Sequence, residues 1–327
     1  MTRARSLPSQ NLALGSGPEF DRIRSIIGLL GSQGRGLGDD CGLFRHGDEF
    51  LALSTDVSVQ NVHFRLDWIS LEEAGWRATA AALSDLAAEG AEPIGLLCAV
   101  TVSDGAPEAE LLQLMSGVNS AARAAGSRVL GGDLSSGPAW SVAVTVVGRT
   151  LAPVSRGGAE PGDRLWVTGA LGGARAALEA WRHHREPSPG ARARFAHPEP
   201  RIVAGRWLAA HGATAMIDIS DGIAGDAAHL AAASQLSVII DLDSLPVAAE
   251  AEHEARQAGI PARQFAAEGG EDYELLAALP AGFSAADDFV RDCGLPLTRV
   301  GEAVTGTGVR FLSSGHPIEL QGFSHFG

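Results

Sequence analysis

Lysine is absent from this chain, and all 25 of its basic residues are arginine. That absence excludes the phosphate-gripping lysine of a P-loop, the strand lysine of protein kinases, and any Schiff-base or pyridoxal-phosphate chemistry. Cysteine is scarce too. Cys41, Cys98 and Cys293 are odd in number and far apart, with no C-x-x-C pair to hold zinc or carry redox chemistry, so a reducing cytoplasm is the expected compartment. Positive charge is outweighed: a formal net charge of −14 argues against non-specific binding to nucleic acid or to an anionic membrane. No stretch approaches the ~18 apolar residues of a membrane span. Residues 1–17 are basic and rich in Ser, Gly and Pro, lack the ~7 to 15 apolar residues of a signal-peptide core, and are expected to be a flexible tail.

What is present is apolar and small. With 327 residues, 45% of them hydrophobic, the chain is long enough for about two domains with their own cores. Its 41 glycines and abundant alanine suit an α/β protein with tight turns, close helices and backbone near a ligand. An acidic protein of this kind still binds phosphate groups when metal ions reverse the local sign.

The acidic residues are not scattered evenly. GDDCGLF (38–44) is followed by FLALSTDVSVQNVHF (50–64), an apolar run that reads as a strand delivering Ser54, Thr55 and Asp56, with Asp39 and Asp40 just upstream. Such crowded carboxylates either form an acidic turn or hold a hard cation such as Mg2+. PEFDRIRSIIGLL (18–30) has helical spacing and reads as scaffold. From Leu71 to Gly90 a second, alanine-rich helix carries Asp85, which either faces solvent or needs a cation or donors inside. IGLLCAVTV (94–102) reads as a central strand, residues 107–126 as a helix, and SVAVTVVGR (141–149) as another strand. Between them RVLGGDLSSGP is expected to place Asp133 on a turn after Gly131 and Gly132.

The Pro/Gly-rich stretch 152–163 marks the expected boundary, giving domains 18–151 and 152–327. Arg156 in it is either a solvated charge or a phosphate contact. His183 and His184 read as surface residues in a polar excursion (183–201), because no partner spacing supports a metal site. TAMIDISDGIAGDAAHLAAAS (214–234) runs a strand into Asp218, Ser220 and Asp221 ahead of a helix; capping by Ser220 or Asp221 accounts for one acid, not for Asp218, Asp221 and Asp226 together. EGGEDYELLAALP sets Gly269, Gly270, Glu271 and Asp272 before a strand expected to carry the single tyrosine, Tyr273, and RVGEAV with GVRFL reads as a closing strand pair.

Taken in order, GDDC, STDVSVQNVHF, LSDLAAEGAEP, GGDLSSGP, PGDRLWVTG, IDISDG and GGEDYEL resemble the thiamine-monophosphate kinase family, over roughly residues 18–325. That family sits in a larger group with aminoimidazole ribonucleotide synthetase and selenophosphate synthetase. The resemblance implies an α/β (α+β) two-domain sandwich similar to the aminoimidazole ribonucleotide synthetase fold, with N-terminal domains pairing across a homodimer. It implies ATP as co-substrate, several Mg2+ ions, and in-line phosphorylation of thiamine monophosphate to the diphosphate. By position it implies Mg2+ ligation by Asp40, Ser54, Thr55, Asp56, Asp85, Asp133, Asp218 and Asp221. Nucleotide contacts fall to Gly132, Asp133, Arg156 and Ser220, and substrate contacts to His63, Glu271 and Phe323. Asp39 receives no ligand role, and no side chain is cast as a catalytic base. The chain departs from the family pattern at GGDLSS, where Leu134 replaces a hydroxyl, and at His197 and Pro198, where an arginine-proline pair is usual. Two rivals stand beside this reading: a related ATP-dependent purine-precursor cyclase, and a non-catalytic cation-binding domain. The latter would cluster its acids in one loop.

Overall fold

The computed structural model describes residues 11–323, so most of the expected tail and the last four residues of GFSHFG lie outside the described residues. Helix α1 (Pro18–Leu30) starts with proline in its first turn, where a missing N–H costs nothing, and none of its residues is buried. A hairpin of β1 (Gly42–His46) and β2 (Glu49–Val59) turns at Gly47 with φ 63°. Helix α2 (Leu71–Ala88) is set by a capping box: Glu73 N–H donates to Ser70 Oγ at 3.2 Å, and Ser70 N–H donates to Glu73 Oε2 at 2.8 Å. β3 (Glu92–Ser103), α3 (Glu108–Ala124), β4 (Val129–Gly137) and β5 (Ser141–Thr150) complete the first half.

The five strands lie in the order β1-β2-β5-β3-β4, and the parallel β3–β4 pair is joined across α3, as a parallel connection requires. Val142, Val144 and Val146 of β5 are buried on one face. The alternate residues Leu53, Val57 and Leu97 stand exposed on the other face. Asp133 is not on a turn. β4 continues through it, because Ala99 to Ser103 of β3 go on pairing with Asp133 to Gly137.

In the second half, β6 (Arg164–Thr168), α4 (Gly173–Arg182), α5 (Pro189–Ala196) and α6 (Ile202–Ala210) lead to β7 (Ala215–Ile219), α7 (Ile223–Ser234) and β8 (Ser237–Asp241). Then come α8 (Ala249–Ala258), α9 (Ala262–Ala267), β9 (Glu274–Leu279), α10 (Ala286–Cys293), β10 (Leu297–Val304), β11 (Gly308–Ser313) and β12 (His316–Ile318). Their order is β12-β11-β8-β10-β6-β9-β7. Every residue of β9 is buried, which explains why, after Glu274, residues 275–279 read as a continuous apolar run without alternation. Three expectations are corrected here. β10 and β11 do not pair with each other but flank β8, antiparallel and parallel respectively. Tyr273 precedes β9 instead of lying on it. The excursion 183–201 contains α5, whose Phe195 is buried.

Helix α2 is the seam between the halves. Its alanines and glycines let neighbours approach to backbone contact: a Cβ at Gly75 would lie 2.0 Å from the Leu114 carbonyl of α3, and one at Gly205 of α6 would lie 2.0 Å from the Ala87 carbonyl. Trp76 Nε1 donates to the Pro198 carbonyl at 2.9 Å. Leu83 and Leu86 are fully buried, each contributing about 1.5–3 kcal/mol. The same helix touches β7, and that contact brings Asp85 to Asp218.

Candidate active site

A cleft of about 1430 Å³ opens between the halves, lined by the loop ahead of β1, the outer half of β2, α2, and the loops after β7 and before β9. Carboxylate oxygens of Asp40, Asp85 and Asp218 lie within 4.8 Å of one another. Each arrives by a different route: Asp40 from the loop before β1, Asp85 from a helix face, Asp218 near the end of a buried strand. Ser54 Oγ donates to Asp85 Oδ2 at 2.5 Å, which orients that carboxylate from β2. Asp40 is ion-paired with Arg156, while the Arg156 N–H donates to Asp39 Oδ1 at 3.0 Å. Asp39 therefore serves the backbone beside the cluster and Asp40 faces the cluster itself.

Burial and mutual repulsion shape the protonation of these groups. Burial first, then Glu271 and Asp40, pushes Asp56 up to about 6. Burial and then Asp40 pushes Asp218 up to about 8. Asp85 is raised well above the usual carboxylate range by burial, then by Asp56, Asp218 and Asp40. Carboxyls held this close must share protons or a cation, and an all-oxygen set of this kind fits a hard divalent ion.

A second group, Asp221, Asp226 and His229, also has ligand atoms within 4.8 Å of one another. Neither Ser220 nor Asp221 caps α7. Gly222 takes the N-cap without a side-chain bond, and Asp226 within the helix reaches back to accept the Asp221 N–H at 3.2 Å. Burial, and then Asp221, raises the Asp226 carboxyl well above its usual range. Burial, then Arg156, lowers His229 to about 4, and its ring lies 4.0 Å from that of Phe20 on α1.

Of the residues singled out in the sequence, Asp40, Ser54, Asp56, His63, Asp85, Arg156, Asp218, Ser220, Asp221, Glu271 and Phe323 all line this cleft. His63 Nδ1 accepts the Val59 N–H at 3.1 Å, closing the turn after β2. Thr55, Gly132 and Asp133 do not line it. Thr55 points to the bare face of the sheet, where its hydroxyl lies 2.9 Å from that of Thr145. The register runs Asp56–Val144–Cys98–Gly132 across four strands, placing Gly132 about 14 Å from Asp56. Asp133, in the next row, faces the bare side and is exposed.

Sequence reasoning missed Arg77 and Tyr273. Arg77 is 3% exposed on α2 and ion-paired with Glu271 from the other half. It was findable by the argument applied to Asp85, since an arginine on a small-sided buried helix is equally anomalous.

Residues 38–150 match the family model described as AIR synthase related protein, N-terminal domain, and residues 160–312 match the corresponding C-terminal domain. A thiamine-monophosphate kinase of Mycobacterium tuberculosis is 37% identical over 257 residues, covering 76% of this chain and 77% of its own. That of Escherichia coli is 34% identical over 326 residues, covering 94% and 95%. The solved structure described as AaThiL complexed with AMPPCP and TMP superposes with a TM-score of 0.85 at 31% identity, covering 94% of this chain and 97% of that one. Two matched domains, a shared fold and this identity over nearly the full length lead to one conclusion: the chain belongs to the thiamine-monophosphate kinase family.

Proposed function

We propose that the protein transfers a phosphoryl group from ATP to the phosphate of thiamine monophosphate, forming thiamine diphosphate, with Mg2+ held by the carboxylates of the cleft. The observation that carries this reading is the meeting of Asp40 and Asp85 from the first half with Asp218 from the second. Buried acids that repel one another gain from a divalent cation, and a relative of this fold is described with an ATP analogue and TMP bound.

We assign metal ligation in the cleft to Asp40, Ser54, Asp56, Asp85, Asp218 and Asp221; Thr55, whose side chain faces the bare side of the sheet, is left with its main-chain carbonyl to contribute, and Asp133 would act only in a partner's cleft. Nucleotide contacts go to Arg156 and Ser220 in this cleft and to Gly132 and Asp133 only in a partner's cleft, and substrate contacts to His63, Glu271 and Phe323. When bound, Mg2+ supplies neutralisation of phosphate charge in the transition state. The chain's own part is positioning: Ser54 orients Asp85, and Asp40 fixes the Arg156 guanidinium at the cleft wall. The acceptor is a phosphate oxygen whose second ionisation lies near pH ~6, so it needs no general base.

The bare face of the first sheet supports a homodimer. Leu53, Val57 and Leu97 are exposed there beside Thr55 and Asp133, and β4 is an open edge. A second copy laid on that face buries the apolar residues and gives Asp133 a partner cleft to serve. Cysteine usage supports a cytoplasmic location, and among the described residues no helix is long and apolar enough to cross a membrane.

The test is Mg2+-dependent ADP release with thiamine monophosphate, set beside unphosphorylated thiamine and an aminoimidazole precursor. Turnover with the monophosphate alone is expected. Equal turnover of thiamine overturns the phosphate-acceptor reading.

A further inference from the structure

The structure assigns a positioning role to Arg77 and Tyr273: together they hold the Glu271 carboxylate at the cleft wall, in the place from which it meets substrate. This rests on the reading of Glu271 as a substrate contact.

Arg77 comes from α2 in the first half and is ion-paired with Glu271 of the second. Its guanidinium is locked from two further directions, donating to the Phe195 carbonyl at 3.0 Å and lying 3.9 Å from the centroid of the Phe195 ring. The Tyr273 hydroxyl donates to Glu271 Oε2 at 2.5 Å, and Tyr273 itself is 7% exposed. The backbone is equally constrained. Glu271 and Tyr273 adopt φ of 70° and 51°, a region that non-glycine residues occupy only when their surroundings hold them there. Their N–H groups donate to the Ser220 and Ile219 carbonyls at 2.7 and 2.9 Å, so the segment is clipped to the end of β7, which carries Asp218, and to the loop after it, which carries Asp221.

A purely structural ion pair looks different in this same molecule. Glu274, which receives Arg201, has a side chain with no exposure at all. The Glu271 side chain keeps 27% of its surface open while its arginine is sealed at 4%. The pair therefore presents its carboxylate to the cleft and buries the group that aims it.

Arg77→Met, Arg77→Lys, Tyr273→Phe and Glu271→Gln are to be assayed in the full-length protein, with melting temperatures recorded. Arg77→Met is expected to raise KM for thiamine monophosphate about tenfold while KM for ATP stays within about twofold. Arg77→Lys should recover most of that loss, and Tyr273→Phe should raise the same KM several-fold at unchanged melting temperature. If Glu271→Gln leaves the KM for thiamine monophosphate unchanged, the substrate-contact reading itself fails. If Glu271→Gln weakens substrate binding while Tyr273→Phe and both Arg77 variants behave as wild type, only the positioning role fails. Equal loss of affinity for both substrates also overturns it. Should Arg77→Met not fold, Tyr273→Phe and Arg77→Lys decide between these outcomes.

Discussion

The N–H of Phe323 donates to the carbonyl of Asp221 at 3.0 Å, fastening the end of the described chain to the loop that carries a candidate metal ligand. Beside it, Gly322 lies so close to α7 that a Cβ there would meet Gly225 Cα at 2.7 Å. The backbone is therefore docked while the Phe323 ring, 53% exposed, stands at the cleft. Removing an exposed ring costs little stability, but removing a flat face that stacks on a cationic heteroaromatic ring forfeits about 0.5–2 kcal/mol of binding. Phe323→Ala should raise KM for thiamine monophosphate by about twofold to thirtyfold, with KM for ATP and the melting temperature unchanged. An earlier melt with normal kinetics would make Phe323 a packing residue.

Asp85→Asn and Asp218→Asn should abolish activity without destabilising the metal-free protein. Each variant fixes in a neutral form a carboxyl that burial and its neighbours already push toward protonation, and Asp85 can keep its bond from Ser54 as the amide oxygen. Thermal melts in chelator check this. A melting temperature well below wild type for both variants would mean that these acids are structural.

The same cluster sets a pH dependence. Asp56 at about 6 and Asp218 at about 8 bind their protons more tightly in the folded chain than at the usual value of 3.8. Between about pH 4 and 8 the folded state therefore holds more protons than the unfolded one, and stability falls as pH rises. The metal-free melting temperature should drop from pH ~5 to pH ~8, and added Mg2+ should restore it most at the upper end. A metal-free melting temperature that climbs over that range contradicts the assignment.

Glu274 offers the opposite case. Its carboxylate has no exposure and accepts from Arg201 Nε at 2.8 Å, from Arg201 Nη2 at 2.6 Å and from Thr168 Oγ1 at 2.7 Å. Glu274→Ala leaves a largely buried arginine with only the exposed Glu199 as carboxylate partner and should cost about 3–5 kcal/mol in urea unfolding. A loss under about 1 kcal/mol would show that Glu199 alone satisfies Arg201.

For assembly, light scattering should give about twice the 33.7 kDa of the chain at micromolar concentration, and Val57→Arg should halve that mass. A monomeric wild type would remove the reason for the bare sheet face.

By itself the sequence determined what is local. The alternation of 50–59 makes a strand, Ser70 with Glu73 starts a helix, and apolar runs end in acids at 56 and 218. These follow from backbone periodicity and capping, which act over a few residues. Strand alternation also dictates that Thr55 and Asp56 face opposite ways. Only the tertiary structure decided which of those two faces the cleft, that β4 runs on through Asp133, and that β10 and β11 embrace β8 instead of each other. It alone joined Arg77 to Glu271 and Asp40 to Asp218, pairs separated by more than half the chain. Such meetings depend on how two sheets pack against one shared helix, and no short-range rule of propensity carries that information.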